Sequence, residues 1–83
     1  MAEKHDYNQA LLKWQFENLK RQGETYRSIS QRSGVPQATL CETINGTTRP
    51  YPRTIKRTTK ALGLKPEYAF IELKKSQYHL AVL

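Results

Sequence analysis

Residues 25–46, TYRSISQRSGVPQATLCETING, hold two helix-length segments that meet at Ser33-Gly34-Val35. Each is shorter than the ~12–15 residues an isolated helix needs in water, so neither stands without packing on its neighbours. Thr25 is a good N-cap for the first, Ile29 is its one strongly apolar residue, and Gly34 ends it. Pro36 suits the start of the second, where a missing N–H costs nothing. Leu40 and Ile44, four apart, face one way, while Gln37, Ala38, Cys41 and Glu42 share another face. Asn45-Gly46 closes the helix, because both residues tolerate left-handed backbone. A tight glycine turn between two short helices, with a longer helix before and another after, is a helix-turn-helix arrangement. Gly34 permits the bend, Val35 plugs the angle, and Ile29, Leu40 and Ile44 hold the pair. The second helix keeps a face able to enter a DNA major groove.

The flanking segments supply the rest of a helical bundle. DYNQALLKWQFENLKRQG reads as a first helix, with Asp6 as N-cap and Gln9 three residues on as in a capping box. Leu12, Phe16 and Leu19 form its apolar stripe, widened by Leu11 and Trp14, and Lys20, Arg21 and Gly23 mark its end. Trp14 and Phe16 read as core rather than stacking platforms. After the loop TTRPYPR, the stretch PRTIKRTTKALG reads as a fourth helix, with Pro52 at its start, Ile55, Ala61 and Leu62 inward and Gly63 as C-cap. KPEYAFIELKKS reads as a fifth. The tail QYHLAVL has no clear period: a prolonged fifth helix, a short strand and a frayed end all fit it. The expected fold is therefore all-α, a compact bundle of about five helices containing a helix-turn-helix. Residues 1–75 are expected to form that DNA-binding domain, with 76–83 as a tail and possible dimer contact.

Composition narrows the function. A chain of 83 residues is one domain, and its 37% of apolar residues suffices for a few packed helices but not for a large enzyme pocket. The net charge of +7 points to a polyanion, nucleic acid before an anionic membrane surface. Cys41 is the single cysteine, so no disulfide framework exists and a reducing interior is expected. MAEKHDYNQ has no apolar run of a signal peptide, and no segment approaches the ~18 apolar residues of a membrane span. The expected location is the cytoplasm of a bacterium or a phage-infected host. His5 and His79 stand near opposite ends and, with one cysteine, offer no metal-ligand spacing. No Ser-His-Asp set or carboxylate pair has a scaffold, so no catalysis, cofactor or small-molecule ligand is expected.

The ordered residues resemble the phage repressor and Cro helix-turn-helix family, also called Xre-like. The resemblance rests on GETYRSISQRSGVPQATLCETINGTTRP followed by IKRTTKALGL, and covers about residues 8–75. Gly23, Thr25, Ile29, Gly34, Val35, Thr39, Leu40, Asn45, Gly46, Pro50 and Ala61-Leu62-Gly63 fall where the family has such residues. No single match is specific, but their order is. The resemblance implies a lambda-repressor-like fold whose base-facing positions are Gln37, Ala38, Cys41 and Glu42. It also implies phosphate contacts from Thr25 and Tyr26 and from Asn45, Thr47, Thr48 and Arg49. Thr39 joins these contacts, and Arg27, Arg53, Lys56 and Arg57 are further candidates by charge.

The chemistry of each side chain fits such roles. The Gln37 amide can bond adenine N6 and N7 together, Ala38 can touch a thymine methyl, and Glu42 can accept from cytosine N4. Cys41 is small enough for an apolar contact and has no positive neighbour in its helix to make it a redox switch. Glu42 departs from the family, in which a basic or amide side chain is common there, and an acid near phosphates is repelled; the alternative is a surface acid on a helix not used for DNA. The expected function is a sequence-specific double-stranded DNA-binding transcriptional regulator, Cro-like or a small repressor, working as a homodimer. The alternative is a phage antirepressor or co-regulator that binds another repressor protein. Tyr68, Phe70, Ile71, Leu73, Tyr78, Leu80, Val82 and Leu83 are the material for a dimer contact, although Tyr68, Ile71 and Leu73 would equally close the monomer core. Deleting residues 76–83 is expected to weaken operator binding and spare the fold.

Overall fold

The structure is a computed structural model and describes residues 6–83. His5 and the other residues of the 1–5 segment, part of the expected domain, lie outside the described residues. Four α-helices follow in order: α1 (Gln9–Arg21), α2 (Tyr26–Ser33), α3 (Gln37–Asn45) and α4 (Pro52–Ala61). Two short 3₁₀ helices, Pro66–Phe70 and Lys75–Ala81, complete the chain. The fold is all-helical, and α2 and α3 form the expected helix-turn-helix pair.

Local chemistry sets most of the boundaries. Thr25 Oγ1 accepts from the Ser28 backbone N–H at 3.1 Å while Ser28 Oγ accepts from the Thr25 N–H at 2.9 Å, a reciprocal cap for α2. Gly34 adopts φ +79° at the end of α2, where a side chain at Cβ would be strained by the left-handed backbone rather than by any neighbour. Helix α1 departs from expectation. Its cap is Asn8, not Asp6: Asn8 Oδ1 accepts from the Leu11 N–H at 3.2 Å, and Asn8 Nδ2 donates to the Ile71 carbonyl at 2.9 Å. A side chain that also fixes a distant segment wins over one that caps alone.

The same asparagine explains why the expected fifth helix is absent as an α-helix. Continuing Pro66–Phe70 as α would commit the Ala69 and Ile71 carbonyls to residues further along the chain. Asn8 takes both, its backbone N–H donating to Ala69 at 2.6 Å and its side chain to Ile71. The chain leaves the 3₁₀ turn in extended geometry at Ile71.

The core gathers Leu11, Leu12, Phe16, Leu19, Ile29, Val35, Leu40, Ile44, Ile55, Leu62 and Leu64, with Tyr78 and Ala81 from the last eight residues. A fully buried aliphatic side chain of this kind stabilises the fold by about 1.5–3 kcal/mol. The tail is bound back onto the domain: Lys65 N–H donates to Ala81 O at 2.7 Å, Leu83 N–H donates to Gly63 O at 2.9 Å, and Leu64 and Val82 pair as an isolated antiparallel bridge. The Tyr78 ring meets Trp14 edge-on, with centroids 5.4 Å apart. Tyr68 and Leu73 pack on this core, whereas Phe70, Ile71, Leu80, Val82 and Leu83 remain exposed.

Helix α4 buries two threonines that no apolar pattern announces. Thr59 Oγ1 donates to the Ile55 carbonyl at 2.7 Å, but Thr58 Oγ1, fully buried, has no hydrogen-bond partner among the described residues. An unsatisfied buried hydroxyl costs about 1–3 kcal/mol. Thr58→Val is therefore expected to raise stability by about 1 kcal/mol, read as a higher midpoint in thermal denaturation; a lower midpoint would show that the hydroxyl is bonded.

Candidate nucleic-acid interface

Helix α3 has nine residues and no side-chain N-cap, so its position is imposed from outside. Leu40, Thr43 and Ile44 are buried and fix the inward face. Gln37, Ala38, Cys41 and Glu42 are all exposed. At ~100° per residue those four positions fall on an arc of ~140° opposite the buried three. Val35 is buried beside the bend, which sets α2 and α3 against each other as the sequence leads one to expect.

The C-terminal end of α3 is clamped. The last carbonyls of a helix lack intrahelical partners and must find others. The Tyr7 hydroxyl donates to Thr43 O at 2.5 Å, Gln9 Nε2 donates to Ile44 O at 2.5 Å, and the Thr47 N–H donates to Glu42 O at 3.1 Å. Asn45 Nδ2 donates to Cys41 O at 2.8 Å and to the Tyr26 hydroxyl at 3.0 Å, and its Oδ1 accepts from Lys13 Nζ at 2.6 Å. Residues from α1, its leading segment and α2 thus hold α3 by its end, and on its outer face Cys41 Sγ accepts from Asn45 Nδ2 at 3.4 Å.

Asn45, expected on phosphate, has its amide directed to Lys13, Tyr26 and Cys41. It acts as a joint between three helices. Tyr26 is half-buried and stacks on Phe16, centroids 4.2 Å apart and planes 11° from parallel. Burial pushes its phenol above the usual value, the largest influence on it, so the hydroxyl stays neutral and keeps a proton to donate. Tyr7 is raised by burial in the same way. Thr25 is exposed with its oxygen occupied as a cap acceptor, and Arg27 is exposed on the first turn of α2. Thr39 is half-buried; Thr47, Thr48 and Arg49 are exposed in the loop after α3, and Arg53 is exposed on the first turn of α4.

Arg32 draws charge away from this surface. Its Nε and Nη2 donate to the two carboxylate oxygens of Glu24 at 3.0 and 3.2 Å, and Nη1 donates to Ala61 O at 2.8 Å. The guanidinium so ties α2 to the C-terminus of α4, where a cation also meets the favourable end of the helix dipole. Gln15, buried, donates to Leu62 O at 2.9 Å and closes the same helix end from α1. Glu42 has no ion pair among the described residues.

No family model, curated protein or solved structure matches the chain.

The surface is described fully by its own side chains. Sequence reasoning missed Tyr7, Lys13 and Arg32, whose partners lie far along the chain, and it read Gln9 as part of a capping box where its amide instead holds the Ile44 carbonyl. It also passed over Tyr51, whose side chain is 80% exposed between Arg49 and Arg53. That exposure has one local signal, a tyrosine between two prolines in a loop. Two open grooves, of about 520 and 560 Å³, lie along α1 and include none of the four exposed α3 residues. Among the described residues no helix is long and apolar enough to cross a membrane, and no group of three His, Cys, Asp or Glu side chains is placed to hold a metal ion.

Proposed function

We propose that the chain is a sequence-specific double-stranded DNA-binding regulator that reads the major groove with α3. The observation that carries this reading is the outer face of that helix: Gln37, Ala38, Cys41 and Glu42 exposed together on a helix whose other face and far end are fixed. Base reading needs a rigid face with short or amide-bearing side chains, while affinity comes from cations around it. Gln37 supplies the amide. Arg27, Arg49 and Arg53 supply phosphate contacts, and the neutral Tyr26 hydroxyl supplies a donor. A regulator of the repressor and Cro type is the form that fits.

The domain measures 31 × 26 × 21 Å and has one such helix, whereas two half-sites on DNA lie ~34 Å apart. A homodimer would meet that spacing. The exposed apolar side chains Phe70, Ile71, Leu80, Val82 and Leu83 are the surface from which it would be built.

A second reading follows from Glu42, whose exposed carboxylate has no ion pair among the described residues. An α3 bearing an acid suits the basic surface of another repressor, and the chain would then act as an antirepressor. Selection of bound sites from random duplex DNA separates the two. The regulator reading expects an enriched, palindromic site. On that site Gln37→Ala should weaken binding by about 1–3 kcal/mol, about 5- to 150-fold, with little change on random duplex. No enrichment would favour the protein partner.

A further inference from the structure

We propose that the exposed face of α4 is a second, sequence-independent phosphate track, separate from the reading face of α3. The proposal rests on the reading of duplex DNA as the partner.

Charge is unevenly placed along the chain. Between Glu42 and Glu67 there are six cations, Arg49, Arg53, Lys56, Arg57, Lys60 and Lys65, and no acid. The other eight cations face seven acids, so this segment carries six of the net seven positive charges. The fold gathers four of the six. Helix α4 buries Ile55, Thr58, Thr59 and Ala61, and exposes Arg53, Lys56, Arg57 and Lys60. Positions i, i+3, i+4 and i+7 lie on one side of a helix, so the four cations form a single stripe. None of them has an ion pair among the described residues.

Such a stripe is unfavourable for the free helix. Arg53 and Arg57, and Lys56 and Lys60, are like charges four apart, and Arg53 also stands at the positive end of the helix dipole. A polyanion lying along α4 removes both penalties. Phosphate fits better than an acidic protein surface. The stripe has no aromatic or aliphatic anchor of the kind that protein interfaces are built around, and two of its four residues are lysine, which those interfaces disfavour. Its seven-residue rise of ~10.5 Å matches about three phosphates of one strand, spaced ~3.4 Å along the duplex axis. Helix α4 packs directly on α3 and is joined to it by residues 46–51, so the two exposed faces belong to neighbouring elements.

The test uses the full chain, its selected site and a random duplex, with affinity measured across a salt series. Replacing Arg53, Lys56, Arg57 and Lys60 together by glutamine should make the slope of log K against log salt shallower by about 2–3, three phosphates at ~0.9 each. The loss should be equal on both duplexes and the preferred bases should not change. Lys74→Gln with Lys75→Gln, which removes two exposed cations elsewhere, should leave the slope in place. Arg53→Gln with Arg57→Gln should give about half the full change and guards against misfolding of the fourfold variant, checked by circular dichroism. An unchanged slope in a folded α4 variant overturns the track while base selection by α3 survives. An equal change in the Lys74/Lys75 control also overturns it, because the effect would then be net charge alone. Failure of the unmodified chain to bind any duplex overturns the DNA reading and the track with it.

Discussion

Leu40→Ala is expected to lower the unfolding free energy by about 3–5 kcal/mol, measured by urea denaturation. Leu40 is fully buried on the inward side of α3, in the core that also holds Ile29, Val35 and Ile44. Truncation removes its apolar burial and leaves a cavity that a rigid packed core only partly closes. A domain of this length has a total stability of about 4–12 kcal/mol, so one residue decides a large share of it. Helix α3 is too short to persist through propensity, and its orientation is lost with its anchor. The comparison variant is Gln37→Ala on the outward side, whose stability should change by less than ~0.5 kcal/mol. On the proposed DNA-binding reading both variants lose binding, for different reasons: Leu40→Ala by unfolding, Gln37→Ala with the domain folded. A loss below ~1 kcal/mol for Leu40→Ala would mean that α3 is not held by that side, and the outward placement of Gln37, Ala38, Cys41 and Glu42 would go with it.

What could be seen in the sequence was whatever is decided within one helical turn. The Thr25 cap, the Gly34 and Gly46 ends and the Pro52 start each depend on neighbours at most five residues away. The opposed faces of α3 follow from the helical period, so Leu40 and Ile44 are buried and Gln37, Ala38, Cys41 and Glu42 exposed, as expected. What was hidden depends on partners far along the chain. Tyr7 bonds 36 residues away, Gln9 35, Gln15 47 and Arg32 29. A glutamine on the apolar side of a helix, or an arginine near its end, gives no local sign of the carbonyl it will meet. Asn8 is the clearest case. It displaces Asp6 as the cap and breaks the expected fifth helix, because its partner Ile71 is 63 residues away. Asn45 shows the same for the candidate site: in the sequence it is a polar residue at the end of α3, and only the fold shows that α1, α2 and α3 meet on its amide.

Ending the chain at residue 75 is expected to destabilise the domain by about 3–5 kcal/mol, against the expectation from sequence that deleting the last eight residues spares the fold. The truncation removes the buried Tyr78 and Ala81, the edge-on contact of Tyr78 with Trp14, and the bonds from Lys65 to Ala81 and from Leu83 to Gly63. Loss of one buried aromatic side chain alone costs about 3–5 kcal/mol. A truncated chain that failed to bind an operator would therefore say nothing about dimers. The surface has to be tested where the tail is exposed. Leu83→Glu changes a side chain that is 74% exposed and outside the core, so stability should move by less than ~0.5 kcal/mol. Should that face join two copies, the same charge would be desolvated at the contact and would weaken association. The expected pair of results is a lowered urea midpoint for the truncation and a native midpoint for Leu83→Glu with reduced self-association in sedimentation. A truncation with the native midpoint would show that Tyr78 and Ala81 are not part of the core. Native self-association in Leu83→Glu would move the proposed contact away from the chain's end and leave Phe70 and Ile71 as the surface to carry it.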